Sequence, residues 1–159
     1  MSRPSPPTAS NTIRLREYQT RDFDALCELD RTCFSPDIAY SRREMRAYLN
    51  APEADCVVAE NDNRIVGFCI TSRGKRQAYI VTIDVIEAMR KRGIGGALLV
   101  ETEKRLAAKG VSAIALDTAT DNVSAIAFWQ KHGYRKIGIR KGYYPNGRDA
   151  FAMTKRIAR

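Results

Sequence analysis

A basic, glycine-rich turn is the part of the sequence best suited to chemistry. It reads RKRGIGG at positions 90–96, after an apolar strand-like run at 79–85 and before a helical pattern. The first N–H groups of a helix have no intrahelical acceptor and attract phosphate. Glycines let the backbone approach such a ligand, and three cations add charge complementarity. The turn therefore predicts a phosphate site at a helix N-terminus.

Two common nucleotide motifs do not fit this turn. A Walker motif needs a Gly-Lys-Ser/Thr ending, and the dinucleotide fingerprint needs a glycine where Leu98 stands. A glycine-rich turn with nothing bound is the purely structural alternative.

The turn resembles the pyrophosphate motif of the GNAT acetyltransferases, Gln/Arg-x-x-Gly-x-Gly/Ala after a strand, which Arg90, Gly93 and Gly95 match. A second block, DNVSAIAFWQKHGY at 121–134, is similar to the family's N-x-x-A-I-x-x-Y-x-x-x-G-F segment, at the family's spacing. The resemblance covers nearly the whole chain from about Ile13. It implies acetyl-coenzyme A as acetyl donor and no metal. It also implies the α/β (α+β) GNAT fold, with a mixed central sheet of about six to seven strands and helices on both faces.

The resemblance assigns the acetyl-CoA contacts to the strand end, the turn and the start of a later helix. These residues are Ile83, Asp84, Val85, Arg90, Lys91, Arg92, Gly93, Ile94, Gly95, Gly96, Asn122, Ser124 and Trp129.

Trp129 is also a catalytic candidate, because relatives usually have a tyrosine there whose hydroxyl is thought to protonate the leaving thiolate. An indole N–H donates a hydrogen bond but does not release its proton at a useful pKa. Trp129 either packs on the cofactor or leaves the acid's role to another group or to solvent. A thiol with a pKa near ~8.5 is a tolerable leaving group without an acid.

Within the superfamily the sequence is most similar to the N-terminal (Nα) acetyltransferases, including the bacterial enzyme that acetylates a ribosomal-protein alanine. YYP at 143–145, after RK at 140–141, and DA at 149–150 carry this likeness. It implies that Tyr143 and Tyr144 close over a peptide's amino terminus, with Phe34 as a further substrate contact. Packing within a hairpin is the alternative for the two tyrosines.

The implied reaction is direct transfer, which needs a neutral amine. At pH 7 deprotonation costs about 1.4 kcal/mol for an α-amine of pKa near ~8 and about 4.6 kcal/mol for lysine near ~10.4. Tyr79 and Asp117 are the candidate bases: Tyr79 matches a strand tyrosine of some Nα enzymes, and Asp117 ends a strand where relatives place Glu or His. A strand-forming tyrosine and a turn or capping carboxylate are their structural alternatives. A backbone N–H in 83–85 is placed to polarise the thioester carbonyl.

The elements that must position these residues follow from periodicity and capping signals. We expect one domain at 13–159 after a disordered Pro- and Ser-rich tail at 1–12. Antiparallel strands precede a strand–helix–strand unit, and His132 is interpreted as a helix C-terminal surface residue. The predicted strands are 13–16, 56–60, 65–71, 78–86, 111–118, 134–140 and 150–157, and the predicted helices are 21–31, 41–50, 94–109 and one from Asp121 or Asn122 to His132.

The formal charge of +9 favours anionic partners, although we expect most of these charges to form a solvated surface. Four cysteines without a C-x-x-C pair, and a single histidine, argue against zinc and fit reduced thiols in the cytoplasm. No apolar run is long enough to span a membrane.

The expected partner is a protein or peptide N-terminus, a ribosomal protein among the candidates, and nucleic acid is not expected as substrate. The chain is expected to be a monomer or homodimer. The alternatives are a small-amine or lysine-side-chain acetyltransferase, or a non-catalytic acyl-CoA-binding module, which Trp129 keeps open.

Overall fold

A computed structural model describes residues 12–157 of the 159-residue chain. The predicted tail at 1–12 lies, apart from Thr12, outside these residues. In chain order the elements are β1 (Arg14–Glu17), α1 (Phe23–Cys33), α2 (Arg42–Asn50), β2 (Ala54–Asn61), β3 (Arg64–Arg73), β4 (Gln77–Val85), α3 (Ile94–Ala108), β5 (Ala113–Ala119), α4 (Val123–Lys131), β6 (Arg135–Arg140) and β7 (Ala150–Arg156). Short 3-10 turns at Thr20–Asp22 and Glu87–Met89 precede α1 and the basic turn.

The seven strands form one sheet in the order β1-β2-β3-β4-β5-β7-β6. All neighbours are antiparallel except β4 and β5, which are parallel. Helices α1 and α2 pack on one face through Leu26 and Met45, and α3 packs on the other through Leu99 and Leu106, with Trp129 of α4 in the same cluster. This confirms the predicted mixed sheet with helices on both faces.

Local sequence signals set the element boundaries. Ser41 and Glu44 form a capping box at the start of α2: the Glu44 N–H donates to Ser41 Oγ at 3.1 Å and the Ser41 N–H to Glu44 Oε1 at 3.0 Å. The β2–β3 turn holds Asp62 and Asn63 at φ 51° and 64°, as a tight hairpin requires.

An opening between the two parallel strands is the feature that creates a site. Strands β4 and β5 pair only at Gln77–Tyr79 and Ala113–Ala115, and no pairing between them continues beyond these residues in the part of the chain described. On the other side of β4, Val81 is an extra residue, since Ile80 and Thr82 pair with consecutive residues of β3. A bulge bends its strand. The C-terminal halves of β4 and β5 therefore border a gap in the sheet, which we call the β4–β5 gap.

No helix within residues 12–157 combines the length and the apolar character that crossing a membrane requires.

Candidate active site

The basic turn has the backbone geometry of an anion cradle. Lys91 and Gly93 both have left-handed backbone conformations, with φ of 66° and 81°. Gly93 is the N-cap of α3, and its carbonyl accepts from Ala97 N–H at 3.0 Å. Within residues 12–157 the N–H groups of the first helical positions, 94–96, have no backbone acceptor. The turn therefore presents several N–H donors at the positive end of the α3 dipole.

The three cations of the turn are exposed but not equivalent. Arg90 donates from Nε to the Val85 carbonyl at 3.0 Å, which fixes its side chain at the end of β4. Arg92 lies beside Met89, with 3.8 Å between the guanidinium and the sulfur. Ile94 differs from its neighbours because its side chain is buried in the core, so it offers only its N–H group.

Two of the glycines also lie close to side chains of α4 and its end. A Cβ on Gly95 would lie 3.2 Å from the Phe128 ring, and a Cβ on Gly96 would lie 3.0 Å from His132. Their lack of a side chain lets α4 pack closely against the start of α3. His132 is the C-cap of α4 and is half-buried, and burial, followed by the charge of Lys131, lowers its pKa. His132 lies at the helix end, as predicted, but it is not a surface residue because its ring packs against Phe128 and the start of α3.

The end of β4 presents backbone donors to the β4–β5 gap. The Ile86 N–H donates to Val66 O at 2.9 Å on the β3 side. Backbone groups alternate between the two edges of an antiparallel strand, so the N–H groups of Ile83 and Val85 face the gap. The Asp84 side chain is instead buried, at 1% exposure, so any contact from this residue to a ligand in the gap would come from its backbone.

The two predicted base candidates are hydrogen-bonded to each other. Tyr79 donates to Asp117 Oδ2 at 2.7 Å, at the last pair before the strands separate. Arg140 of β6 donates from Nε to Asp117 Oδ1 at 2.8 Å. The Tyr143 hydroxyl lies 3.1 Å from that of Tyr79, and it must be the donor because the Tyr79 hydrogen points to Asp117. Four side chains from four parts of the chain thus form one polar network.

This network fixes the protonation of the tyrosine. Burial, followed by the hydrogen bonds with Tyr143 and Asp117, raises the pKa of Tyr79 well above its usual range. Tyr79 is therefore a neutral phenol that can pass a proton on but cannot act as a phenolate base. The Asp117 side chain is only 4% exposed and has a hydrogen-bond donor on each oxygen.

The wall that continues from Tyr143 of the network joins two segments distant in sequence. The rings of Tyr143 and Tyr144 are 5.0 Å apart and nearly perpendicular, and burial raises the pKa of Tyr144 to about 12. Asn146, in the same β6–β7 connection, donates to Asp37 Oδ2 at 2.8 Å. Asp37 lies in residues 34–40, which we call the α1–α2 loop and which half-buried Phe34 begins.

Sequence reasoning missed Asp37, Asn146 and Tyr40 of this wall. The Tyr40 hydroxyl donates to Val81 O at 3.3 Å, at the bulge of β4. Turn residues such as Asn146 and loop carboxylates are common, and no spacing rule brings residues 37 and 146 together. Tyr40 directly precedes Ser41, the N-cap of α2. This position next to a helix start is the signal that could have indicated a side chain held in one place.

Trp129 lies in the core. It is 6% exposed and has edge-on contacts with Phe128 and Tyr134 at centroid distances of 5.0 and 5.3 Å. These contacts favour packing over acid catalysis, and its cofactor contact remains a prediction. Asn122 caps α4 by accepting from Ala125 N–H at 3.1 Å, and Ser124 lies beside it. The roles of both residues toward acetyl-CoA also remain predictions.

Comparison with known proteins decides the family. Residues 23–134 match the acetyltransferase (GNAT) family. The chain is a GNAT acetyltransferase. It is 31% identical over 139 residues to the N-alpha-acetyltransferase RimI of Mycobacterium tuberculosis, covering 84% of this chain and 86% of the relative.

Solved structures show the same fold. The ribosomal-protein-S18-alanine N-acetyltransferase from Escherichia coli superposes with a TM-score of 0.86 at 22% identity, covering 93% of this chain and 96% of that one. NAA60 of Arabidopsis thaliana, solved in complex with acetyl-CoA, gives 0.81 at 22% identity, covering 92% and 99%. Family membership makes this GNAT protein an N-acetyltransferase, as the sequence predicted.

Proposed function

We propose that this GNAT enzyme transfers the acetyl group of acetyl-CoA to the α-amine of a protein or peptide N-terminus. The network of Tyr79, Asp117, Arg140 and Tyr143 at the start of the β4–β5 gap carries the proposal. The name of the mycobacterial relative, an N-alpha-acetyltransferase, and that of the E. coli structure, which acts on a ribosomal-protein alanine, support the same substrate class.

The donor side of the site fits acetyl-CoA. The turn at 90–96 supplies N–H donors and cations for a pyrophosphate, and the inward N–H groups of Ile83 and Val85 suit an extended chain of amides in the gap. The bound donor would supply an activated thioester, and a backbone N–H at the end of β4 would polarise its carbonyl.

The acceptor side handles the protons of the amine. An α-ammonium near the Tyr79 oxygen would lose a proton through this hydroxyl, which gives its own proton to Asp117. Attack by the neutral amine forms the C–N bond and breaks the C–S bond; the second amine proton leaves to solvent, from which the thiolate can be protonated. Arg140 offsets the negative charge of Asp117 between turnovers.

A weak relay of this kind suits an α-amine better than a lysine. Neutralising an α-amine at pH 7 costs about 1.4 kcal/mol, against about 4.6 kcal/mol for a lysine side chain. A neutral phenol in front of a carboxylate therefore suffices for the first substrate and works against the second.

Intact-mass spectrometry tests the proposal. Short peptides that begin with Ala, Ser or Met and contain an internal lysine are incubated with acetyl-CoA, each with a free and a blocked α-amine. We expect one acetyl group on free peptides and none on blocked ones. Equal labelling of blocked peptides would show a lysine acetyltransferase instead, and no label on any peptide would contradict a protein terminus as the acceptor.

A further inference from the structure

A second pair of acidic side chains lies deep in the fold, away from the proton relay. Asp30 of α1 is fully buried, and Asp84 of β4 is 1% exposed. The packing of α1 on β4 places the two carboxyl groups side by side, where Asp30 disfavours the ionised form of Asp84. No salt bridge reaches either of them from residues 12–157.

Each carboxyl group has one oxygen with a donor and one without. Asp30 Oδ2 accepts from the Tyr40 N–H at 2.8 Å, and Asp84 Oδ1 accepts from the Thr82 hydroxyl at 2.6 Å. Asp30 Oδ1 and Asp84 Oδ2 are buried and have no hydrogen-bond donor in the described part of the chain. A single proton between these two oxygens would satisfy both, because one carboxyl would then donate to the other.

The alternative of two ionised carboxylates is strongly unfavourable at this place. Burying an uncompensated carboxylate is costly, and two like charges in contact cannot both ionise easily. The titratable or charged groups around the pair in the described residues are four thiols, one phenol and one guanidinium: Cys27, Cys33, Cys56, Cys69, Tyr40 and Arg90. The guanidinium belongs to the basic turn and is exposed. Burial, followed by the neighbouring carboxyl of Asp30, raises the pKa of Asp84 well above its usual range.

The pair also connects the two substrate sides of the enzyme. The Asp30 carbonyl accepts from Phe34 N–H at 3.1 Å and its carboxyl from Tyr40 N–H, so this residue holds both ends of the α1–α2 loop. Asp84 belongs to the end of β4, between the residues whose N–H groups face the gap.

We propose that Asp30 and Asp84 share one proton at neutral pH, and that this carboxyl–carboxylate bond positions the α1–α2 loop on the donor strand β4. The two are positioning residues that act through Tyr40 and the backbone of β4. That the loop then binds the acceptor rests on the proposed function; the shared proton does not.

Carbon-13 NMR of the full chain labelled at aspartate Cγ measures the proton directly. Ordinary aspartates titrate near pKa ~3.9. We expect one aspartate signal to keep its protonated shift at pH 6–7, and to be absent in both Asp30→Asn and Asp84→Asn. Full ionisation of every aspartate by pH 6 in the wild-type protein would overturn the proposal, whether or not any variant folds.

Kinetics with a free-terminus peptide test the positioning role. An amide can replace the shared proton, so Asp30→Asn should keep the KM for the peptide within about twofold at pH 7, whereas Asp30→Ala should raise it about tenfold with little change in kcat. Exposed Asp62→Asn in the β2–β3 turn is the matched control. Equal KM values for Asn and Ala variants would contradict positioning, and absence of any peptide acetylation would contradict the proposed function while the NMR result stands.

Discussion

Two carboxyl centres on neighbouring strands of the same sheet have opposite surroundings. Asp117 on β5 has a phenol hydrogen on one oxygen and a guanidinium on the other, at the edge of the β4–β5 gap. Asp84 on β4 is buried under α1, where the described part of the chain gives it the hydroxyl of Thr82 as donor and another carboxyl as neighbour. The number of donors, rather than the residue type, decides that one is suited to receive protons in catalysis and the other to hold one permanently.

The largest effect is expected from substitutions in the Asp117 centre at the edge of the β4–β5 gap. Asp117→Asn or Tyr79→Phe should lower kcat by about 100-fold, since each interrupts the relay that neutralises the amine. The double variant should be little worse than either single one, because the two groups act as a unit. Steady-state kinetics on a free-terminus peptide measure this, with acetyl-CoA affinity as the control that the donor side is intact. If the two single-variant losses in kcat multiplied in the double variant, Tyr79 and Asp117 would have independent roles.

The next prediction compares the buried Asp30–Asp84 pair with Asp22, a carboxylate that accepts several hydrogen bonds. Asp22 accepts from Arg16 and from the Gln19 N–H, and the Arg16 hydrogen bond lowers its pKa. Its stabilisation is therefore present above the ordinary aspartate pKa and is lost as pH falls through its lowered value. Asp22→Asn should cost about 2 kcal/mol at pH 7 and much less in strong acid.

Asp84→Asn should have the opposite pH dependence. A raised pKa means that the wild-type pair contributes its full stability below the ordinary aspartate pKa and loses it as pH rises through the raised value. The variant should therefore gain stability relative to wild type as pH rises. Urea unfolding of both variants across pH measures this, and parallel profiles for the two would contradict the contrast.

A smaller effect is expected on the donor side. Lys91→Glu should weaken acetyl-CoA binding about tenfold by replacing attraction to phosphate with repulsion. Lys104→Glu, exposed on α3, makes the same charge change away from the turn and should have little effect. Calorimetric titration with acetyl-CoA measures the affinity of both variants. Equal losses of affinity would mean that the turn acts only as part of the general basic surface and not as a specific phosphate site. Gly95→Trp is a poorer probe, because a side chain there meets the Phe128 ring.

The smallest effect concerns the link between the two acceptor segments. Asn146 and Asp37 are exposed, and Asn146→Ala should raise the KM for the peptide about two- to threefold without changing kcat. Asn50→Ala, exposed at the end of α2, serves as the control. An unchanged KM would mean that the bond does not order the wall.

The sequence predicted the elements well because they depend on local patterns. The Ser41 capping box, the turn at Asp62 and the helix beginning at Ile94 are all read from residues within a few positions of each other. Tyr79 and Asp117 were chosen separately, yet the structure brings them to hydrogen-bond distance.

The remaining features depend on contacts that no local pattern encodes. Asp30 and Asp84 are 54 positions apart, and each alone resembles an ordinary surface aspartate. The close packing of α4 on Gly95 and Gly96 and the burial of Trp129 likewise follow from how two helices meet on one face of the sheet.

Competition within one peptide tests the central claim most directly. A peptide with a free N-terminal alanine and an internal lysine is acetylated by wild type and by Asp117→Asn, and tandem mass spectrometry locates the label. We predict acetylation of the α-amine alone, slowed about 100-fold in the variant. Label on the lysine, or an equal rate in the variant, would contradict the claim that the Tyr79–Asp117 network serves an N-terminal amine.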